Sequence, residues 1–478
     1  MNQPETASVI SSKTEVSSAE YFAQRQLKQG TVGWLLLIGL GVAYVISGDF
    51  AGWNFGIAQG GWGGMFIATA LAAIMYLCLC LSMSEMSTMM PTAGGGYSFA
   101  RAAFGPFGGY LTGTAILIEY AIAPAAIAVF IGGYCESLFG INGWMIYLAC
   151  YAIFMGIHLK GAGEALKIMF AITLVAAVAL VVFIVAMIPH FNAQNLFDIP
   201  VGTAAGASHF LPHGYLGIWA AVPFAIWFFL AVEGVPLAAE EAKDPAKSLP
   251  RGLIGAMLIL TAFAMLILFL GAGAAGASTL QNSGAPLVDA LVKVYDTNTW
   301  LATFVNFVGL AGLIASFFSI IYAYSRQIFA LSRAGYLPTS LSLTNKNKAP
   351  YLAIIIPGII GFLLSLTKEG DSLILIAVFG ATISYVLILL SHIKLRLSKP
   401  DMPRPYKTPG GIVTSTIALV LAVAAVVAGF VVNPKVWFIA AAIYVVFIAY
   451  FLFYSRYHLV KGTPEEEFAN IKAAEQEL

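Results

Sequence analysis

Two carboxylic acids in this chain sit where acids are costly. Asp49 lies within Ile46-Ser47-Gly48-Asp49-Phe50-Ala51-Gly52, and Glu233 within Trp227-Phe228-Phe229-Leu230-Ala231-Val232-Glu233-Gly234-Val235-Pro236. Each is deep in an apolar run and beside residues that interrupt a helix. An acid at the centre of a membrane helix costs about 2.5–3.5 kcal/mol on insertion scales, so its retention points to function, with a buried structural acid as the plain alternative. No Lys or Arg occurs at matching depth. The chemistry open to such acids is binding, because a carboxylate beside the freed carbonyls of a broken helix suits an ammonium group. Nothing suggests catalysis: there is no His-Glu zinc signature, phosphate loop or nucleophile elbow. Neither metal nor cofactor is expected.

The elements that must hold these acids are membrane helices. The 478 residues are 60% hydrophobic and 10% charged, with a mean hydropathy of +0.86, so lipid is the solvent for most of the chain. Apolar runs of roughly 20 residues, the length that spans a bilayer as helix, fill the interior. They are apolar on every face, which excludes the alternating strands of a barrel. Residues 1–30 lack a basic region running into a short apolar core and read as a cytoplasmic tail, not a signal peptide. Cys78, Cys80, Cys135 and Cys150 lie in or beside the apolar runs and argue for neither a disulfide nor a metal site.

The runs predict an all-α membrane protein of twelve transmembrane helices, at 32–59, 63–88, 104–137, 143–159, 164–188, 214–239, 252–277, 300–330, 351–367, 372–395, 412–432 and 435–455. Cytoplasmic placement of both tails, 1–31 and 456–478, puts 21 of the 24 Lys and Arg inside, leaving Lys293, Lys368 and Lys435 outside. Gly271, Gly273 and Gly276 mimic a nucleotide-binding glycine motif, but no strand precedes them. Helix packing is expected there, as at Gly105, Gly109 and Gly113. His190, His209 and His213 fall in the outer loop 190–213, and His158, His392 and His458 near inner helix ends. All six are expected at interfaces or in solvent.

The first run, about 28 residues, would measure about 42 Å as straight helix against a hydrocarbon core of about 30 Å. Interruption at its central glycines is the expected solution, and irregular backbone at that depth must line a cavity or be covered by protein. The sixth run repeats the pattern. Two interrupted helices five spans apart predict an inverted repeat, with 32–189 and 214–395 as its halves, followed by 396–455. Carriers built this way bind their cargo at the midplane between the breaks.

Four separated segments resemble the amino acid–polyamine–organocation transporters. The first holds Glu85, Met90, Pro91, Gly94, Gly95, Tyr97, Arg101, Phe104, Gly105 and Pro106. The second runs through Glu233, Ala239, Glu240, Glu241, Lys243, Asp244 and Pro245. Arg326, Ala330, Ser332, Arg333, Gly335, Leu337 and Pro338 form the third, and Arg404, Pro405, Tyr406 and Pro409 the fourth. The resemblance implies the LeuT fold, alternating access and substrate amines held by the unwound backbone at Ile46, Ser47, Gly48 and Asp49 and at Phe229, Leu230, Ala231 and Glu233. It also marks Trp227 as a candidate gate.

Where the family usually has an aliphatic residue after its first-helix glycines, this chain places Asp49. A carboxylate on the N-terminal end of the half-helix beyond the break would repel a substrate's own acid group. Together with Gly48-Asp49-Phe50-Ala51-Gly52-Trp53, which resembles the ethanolamine permeases, this predicts import of ethanolamine or a related small amine across the cytoplasmic membrane. The alternatives are a neutral or cationic amino acid transporter of the same fold and a channel or transporter-like sensor. Ala176 stands where some members carry a fifth-helix Lys, so the coupling ion, a proton or none, stays open. The membrane potential alone would supply about 2.3 kcal/mol per 100 mV to a singly charged amine. The lipid bilayer and the small molecule are the expected partners, with no role for nucleic acid.

Overall fold

The structure is a computed structural model that describes residues 30, 32–141, 143–295 and 300–460. Most of the expected tails 1–31 and 456–478 therefore lie outside the described residues. The helices are α1 (Trp34–Val45), α2 (Ser47–Phe50), α3 (Asn54–Met89), α4 (Gly96–Phe139), α5 (Trp144–Leu159), α6 (Ala162–Met187) and α7 (Gly214–Trp227). After a 3-10 segment, Val232–Glu241, follow α8 (Pro245–Ala275), α9 (Ala277–Leu280), α10 (Pro286–Tyr295), α11 (Trp300–Arg333), α12 (Tyr351–Ser365), α13 (Gly370–Ser398), α14 (Ile412–Val432) and α15 (Pro434–Phe453). No strand forms among the described residues beyond isolated bridges.

Nine helical stretches among the described residues are long and apolar enough to cross a membrane, and three shorter apolar helices, Trp34–Val45, Trp144–Leu159 and Tyr351–Ser365, accompany them. These elements fall on the expected runs, with three shifts at their edges. The first and second runs are joined through α3, which bends at Gly61 (φ +68°), a conformation that costs glycine little. Gly105 (φ +77°) likewise bends α4 ahead of Pro106, with no neighbouring atom where a side chain would stand. It is a kink residue rather than the packing contact expected of it. Helix α8 begins at Pro245, since proline suits a first helical turn, where its missing N–H would have no partner anyway.

The bundle is built in layers around α1 and the α7 region. α1 packs against α8, α11 and α6, and α3 packs along α7. α4 lies between α13 and α11, while α14 and α15 sit outside, mainly against α13 and α3. Lipid tails give helices no hydrophobic reason to associate, so close approach of small residues has to hold them. Gly380 of α13 shows this, because a Cβ there would stand 2.5 Å from the Ala115 carbonyl oxygen of α4. Outward-facing Leu258, Val420, Phe438, Val446 and Phe453 are exposed apolar side chains, as a lipid-facing surface requires. The glycines 271, 273 and 276 close the end of α8 against Phe183, Phe191 and Asp198, confirming their packing role.

Candidate functional site

The first interruption falls at the far end of the stretch the sequence marked, at Gly52 rather than at Ile46–Asp49. Ile46 stays helical (φ −55°, ψ −22°), and its N–H donates to the Val42 carbonyl at 2.9 Å. The Asp49 N–H donates to Ile46 and that of Ala51 to Ser47, so residues 46–49 form a tightened helical turn rather than unwound chain. The chain breaks at Ala51 (φ −159°, ψ 158°) and Gly52 (φ +98°). Gly52 can take that conformation without a Cβ clash, and Asn54 holds it by accepting the Gly52 N–H at 3.2 Å. The side-chain amide of Asn54 donates in turn to the carbonyls of Leu280 (3.0 Å) and Ser283 (2.8 Å). Gly48, the other candidate hinge, is needed for contact instead. A Cβ there would lie 2.5 Å from the Trp227 carbonyl oxygen and 3.2 Å from Phe228 Cα.

This register changes the meaning of Asp49. It ends the half-helix before the break, while the N-terminal end beyond the break belongs to Asn54 and α3. Asp49 therefore does not stand on the N-terminal end where the sequence reading placed it. Asp49 is fully buried, and neither carboxyl oxygen has a hydrogen-bond partner.

Side chains from neighbouring helices cover the freed carbonyls, as non-helical backbone at this depth demands. The Tyr134 hydroxyl donates to Phe50 at 2.9 Å, and the Trp227 indole N–H donates to Ala51 at 3.0 Å. The Ser47 and Ser316 hydroxyls lie 2.8 Å apart, and Ser316 donates to the Tyr44 carbonyl at 2.6 Å, fastening the first helix to α11. Trp227, the candidate gate, is thus laced across the break, with its ring against Gly52.

The second interruption does fall where expected. α7 ends at Trp227, and Ala231 adopts a left-handed conformation (φ +78°, ψ 2°) before the 3-10 segment begins. For a residue with a Cβ that conformation costs about 1–2 kcal/mol, strain that a straight helix would avoid. Phe229, Leu230, Ala231 and Glu233 are all buried there, as are Ile46, Ser47, Gly48 and Asp49. The two breaks meet through the Gly48–Trp227 contact, and Trp53 stacks on Phe228 (5.8 Å between ring centres).

Glu233 belongs to a cluster that sequence reasoning missed in part. Tyr120 of α4 donates to its carboxyl at 3.1 Å. The carboxyl of Glu119, also on α4, faces that of Glu233, with Tyr385 alongside both. Tyr385 and Tyr76 place their hydroxyls 2.8 Å apart. Glu119 is fully buried and neither of its oxygens completes a hydrogen bond of good geometry. Its signal was available, since it is an acid deep in the apolar run 104–137.

Apart from Glu233, the four family-like segments supply pairing devices at one end of the bundle. Glu241 accepts from Arg326 at 3.0 Å and Tyr322 at 2.7 Å, and Glu240 accepts from Arg333 at 2.6 Å and from the Ala93 N–H at 3.0 Å. Glu85 gathers Arg396 (2.5 Å), Arg404 (2.9 Å) and the Thr408 N–H (2.7 Å). Two histidines expected at interfaces or in solvent are buried instead. His392 lies 3.4 Å from Glu85 and 2.5 Å from the Ser415 hydroxyl, and His158 contacts the Phe318 carbonyl at 2.8 Å. Val32 closes the same end, its N–H donating to Glu241 and its carbonyl accepting from Lys243. The opposite end is covered by aromatics, with Trp62 packed against Phe66, Phe197, Phe210 and Phe269.

An apolar bundle with two interrupted helices meeting at buried acids is the build of a membrane carrier. Residues 6–453 match the family model described as amino acid permease. The chain belongs to the amino acid permease family. It is 28% identical over 396 residues to the branched-chain amino acid permease BcaP of Bacillus subtilis, a span of 79% of this chain and 82% of that protein. An uncharacterised transporter of Rhizobium meliloti is 27% identical over 80% of this chain and 83% of its own length. The aromatic amino acid transport protein AroP of Escherichia coli is 25% identical over 79% of this chain and 84% of its own. The expectation of ethanolamine as cargo gains no support from these relatives, two of which are named for amino acids.

Proposed function

We propose that this protein is a secondary transporter of neutral or cationic amino acids, working by alternating access in the cytoplasmic membrane with both termini inside. In this reading the twelve expected crossings form the LeuT fold, with 32–189 and 214–395 as inverted halves. The observation that carries it is the register of the first break. With Asp49 ahead of the break, the start of α3, where an anion is favoured, lies beyond it; the Gly56 N–H there already donates to Trp53, which leaves the Asn54 and Phe55 amides to meet a substrate carboxylate. The substrate's ammonium would lie toward the carbonyl end of the preceding half-helix and the Asp49 carboxyl, where charge of its sign is favoured. Asp49, Glu119 and Glu233 argue against a substrate with an acidic side chain, since no cationic partner is paired with Asp49 or Glu119. Phe229 and Trp227 supply apolar walls, with Trp227 as the gate.

A second reading, a small amine such as ethanolamine, is favoured by one feature alone, the unpartnered Asp49 carboxyl. Counterflow in proteoliposomes separates the two. Exchange of labelled leucine, phenylalanine or arginine, undiminished by excess ethanolamine, is the expected result. Exchange of ethanolamine with no amino acid accepted would overturn it, and flux without exchange would mark a channel.

A further inference from the structure

A cationic cleft opens into an apolar groove along one edge of the bundle. The cleft, about 610 Å³, lies at the start of α14, and its lining includes Arg396, Asp401, Arg404, Lys407 and Ile412. From Ile412 onward α14 is long and apolar enough to cross a membrane, so its start lies at headgroup depth. Ile412 is shared with a second recess of about 550 Å³, walled by Ile74 of α3 and by Val413, Ile417 and Val420 of α14. That recess shares Leu71 and Leu421 with a third, about 140 Å³, which runs between α3, α7 and α14 as far as Ile226, the residue before Trp227. Small side chains make the room there, Ala68 and Ala72 on one wall and Ala424 and Ala425 on the other.

The charges at the head of the groove are unequally spent. Arg404 is consumed by the fold, its Nε donating to Glu85 and its terminal nitrogens to the carbonyls of Leu395, Lys399, Pro400 and Met402. Arg396 gives Nε and Nη2 to Glu85, while its Nη1, beside Gly411, has no hydrogen-bond partner among the described residues. Lys407 is exposed and has no ion-pair partner among the described residues. These three cations meet two acids, Glu85 and Asp401, which leaves one positive charge, the complement of a single phosphodiester.

We propose that the cleft and groove together bind one anionic glycerophospholipid, its phosphate at Arg396 Nη1 and Lys407 and an acyl chain laid along α14 toward Ile226. A small anion would use the cleft alone and an uncharged chain the groove alone. Their continuity through Ile412 suits a ligand that has both parts. Lysine and arginine at the membrane surface favour anionic over zwitterionic headgroups. The lipid would splint the peripheral α14 to α3 and α7, whichever cargo is carried.

The test uses full-length protein, delipidated in neutral detergent, and three probes of graded likeness: dioleoyl phosphatidylglycerol, dioleoyl phosphatidylcholine and glycerol 3-phosphate. Native mass spectrometry counts the retained molecules, and apparent Tm reports stabilisation. One phosphatidylglycerol should be retained and raise Tm, with phosphatidylcholine bound about fivefold or more weaker and glycerol 3-phosphate without effect at equal concentration. Lys407→Ala should weaken phosphatidylglycerol by about fivefold, the factor one lysine near anionic lipid supplies. Ala424→Trp, which fills the recess, should weaken it as well. Lys435→Ala, beyond the far end of α14, should bind as the wild type does. Arg396 is left intact because it also holds Glu85. If a variant fails to fold, seen as a collapsed lipid-free Tm, the three probes on the wild type decide. Equal binding of the two phospholipids, full phosphatidylglycerol binding in both Lys407→Ala and Ala424→Trp, or an equal loss in Lys435→Ala would each overturn the proposal. So would a Tm rise with glycerol 3-phosphate matching that of the lipid, since the cleft would then be an anion site without a lipid.

Discussion

Gly48→Ala tests whether the two interruptions must touch for the protein to close. The new methyl would stand 2.5 Å from the Trp227 carbonyl oxygen and 3.2 Å from Phe228 Cα, and both neighbours are backbone. A flexible side-chain tip could swing aside, but main chain at the end of α7 cannot move without disturbing the Trp227–Ala51 bond. Overpacking of this kind costs about 1–3 kcal/mol. That cost falls on the closed arrangement, while a state in which the breaks separate is relieved of it. The ratio of closed to open molecules should therefore drop by about 5- to 150-fold. The assay is solvent labelling of a cysteine placed at Ile46 in a variant whose native cysteines are removed, combined with apparent Tm in detergent. The expected outcome is faster labelling with a lowered Tm. Gly156→Ala is the control, because no atom lies within 4 Å of its added methyl and its helix should gain about 0.5–1 kcal/mol from the exchange. Wild-type labelling and Tm in Gly48→Ala would refute the contact as a determinant of closure.

Asp49→Asn keeps the shape and the lack of partners while replacing the carboxyl by an amide, so Tm should change little while counterflow falls by about tenfold or more. A parallel loss of both would make Asp49 structural. Trp227→Phe deletes the bond to Ala51, worth about 1 kcal/mol, and exchange should quicken as the break is unlaced, read as the initial counterflow rate. Glu241→Gln leaves the Arg326 guanidinium buried without its counter-charge and should lower stability by about 3–5 kcal/mol, seen as a Tm loss larger than that of Glu240→Gln, because the Glu240 side chain is 15% exposed against 1% for Glu241.

How much of this was legible depended on whether the signal was local. The apolar runs carry their own length and composition, so the helices were readable, and Glu233 with Gly234 and Pro236 marked the second break correctly. The first break was displaced because Gly48 and Gly52 look alike in sequence. Only the approach of Trp227 shows that Gly48 is a contact residue and Gly52 the left-handed one. Glu119 announced its depth but had no adjacent glycine, so nothing local linked it to Glu233, 114 positions away by residue number. His158 and His392 were misjudged for the same reason, their partners Phe318 and Glu85 coming from remote helices. The family-like segments were visible as motifs, but their joint purpose, charge pairing at one end, exists only once the chain is folded.

That arrangement also says which part of the protein is free to move. At the paired end, Glu241 is tied to α11 by a guanidinium and a tyrosine, Glu240 by a second guanidinium, and Glu85 by three N–H-bearing partners. Separating any of these would strand a buried charge, which costs about 3–5 kcal/mol each. Among the described residues, the start of α1 meets the same segment through two backbone hydrogen bonds at Val32, worth about 0.5–1.5 kcal/mol each, and through packing of Gly41 on Val235. At that end, parting α1 costs less than rupturing the ion pairs, although Ser47, Phe50 and Ala51 hold the helix further along. On the proposed transport reading the charged pairs would form the fixed frame and the helix that carries Asp49 the moving arm. Its departure would uncover the Gly48–Trp227 contact and the buried side chains that follow the second break.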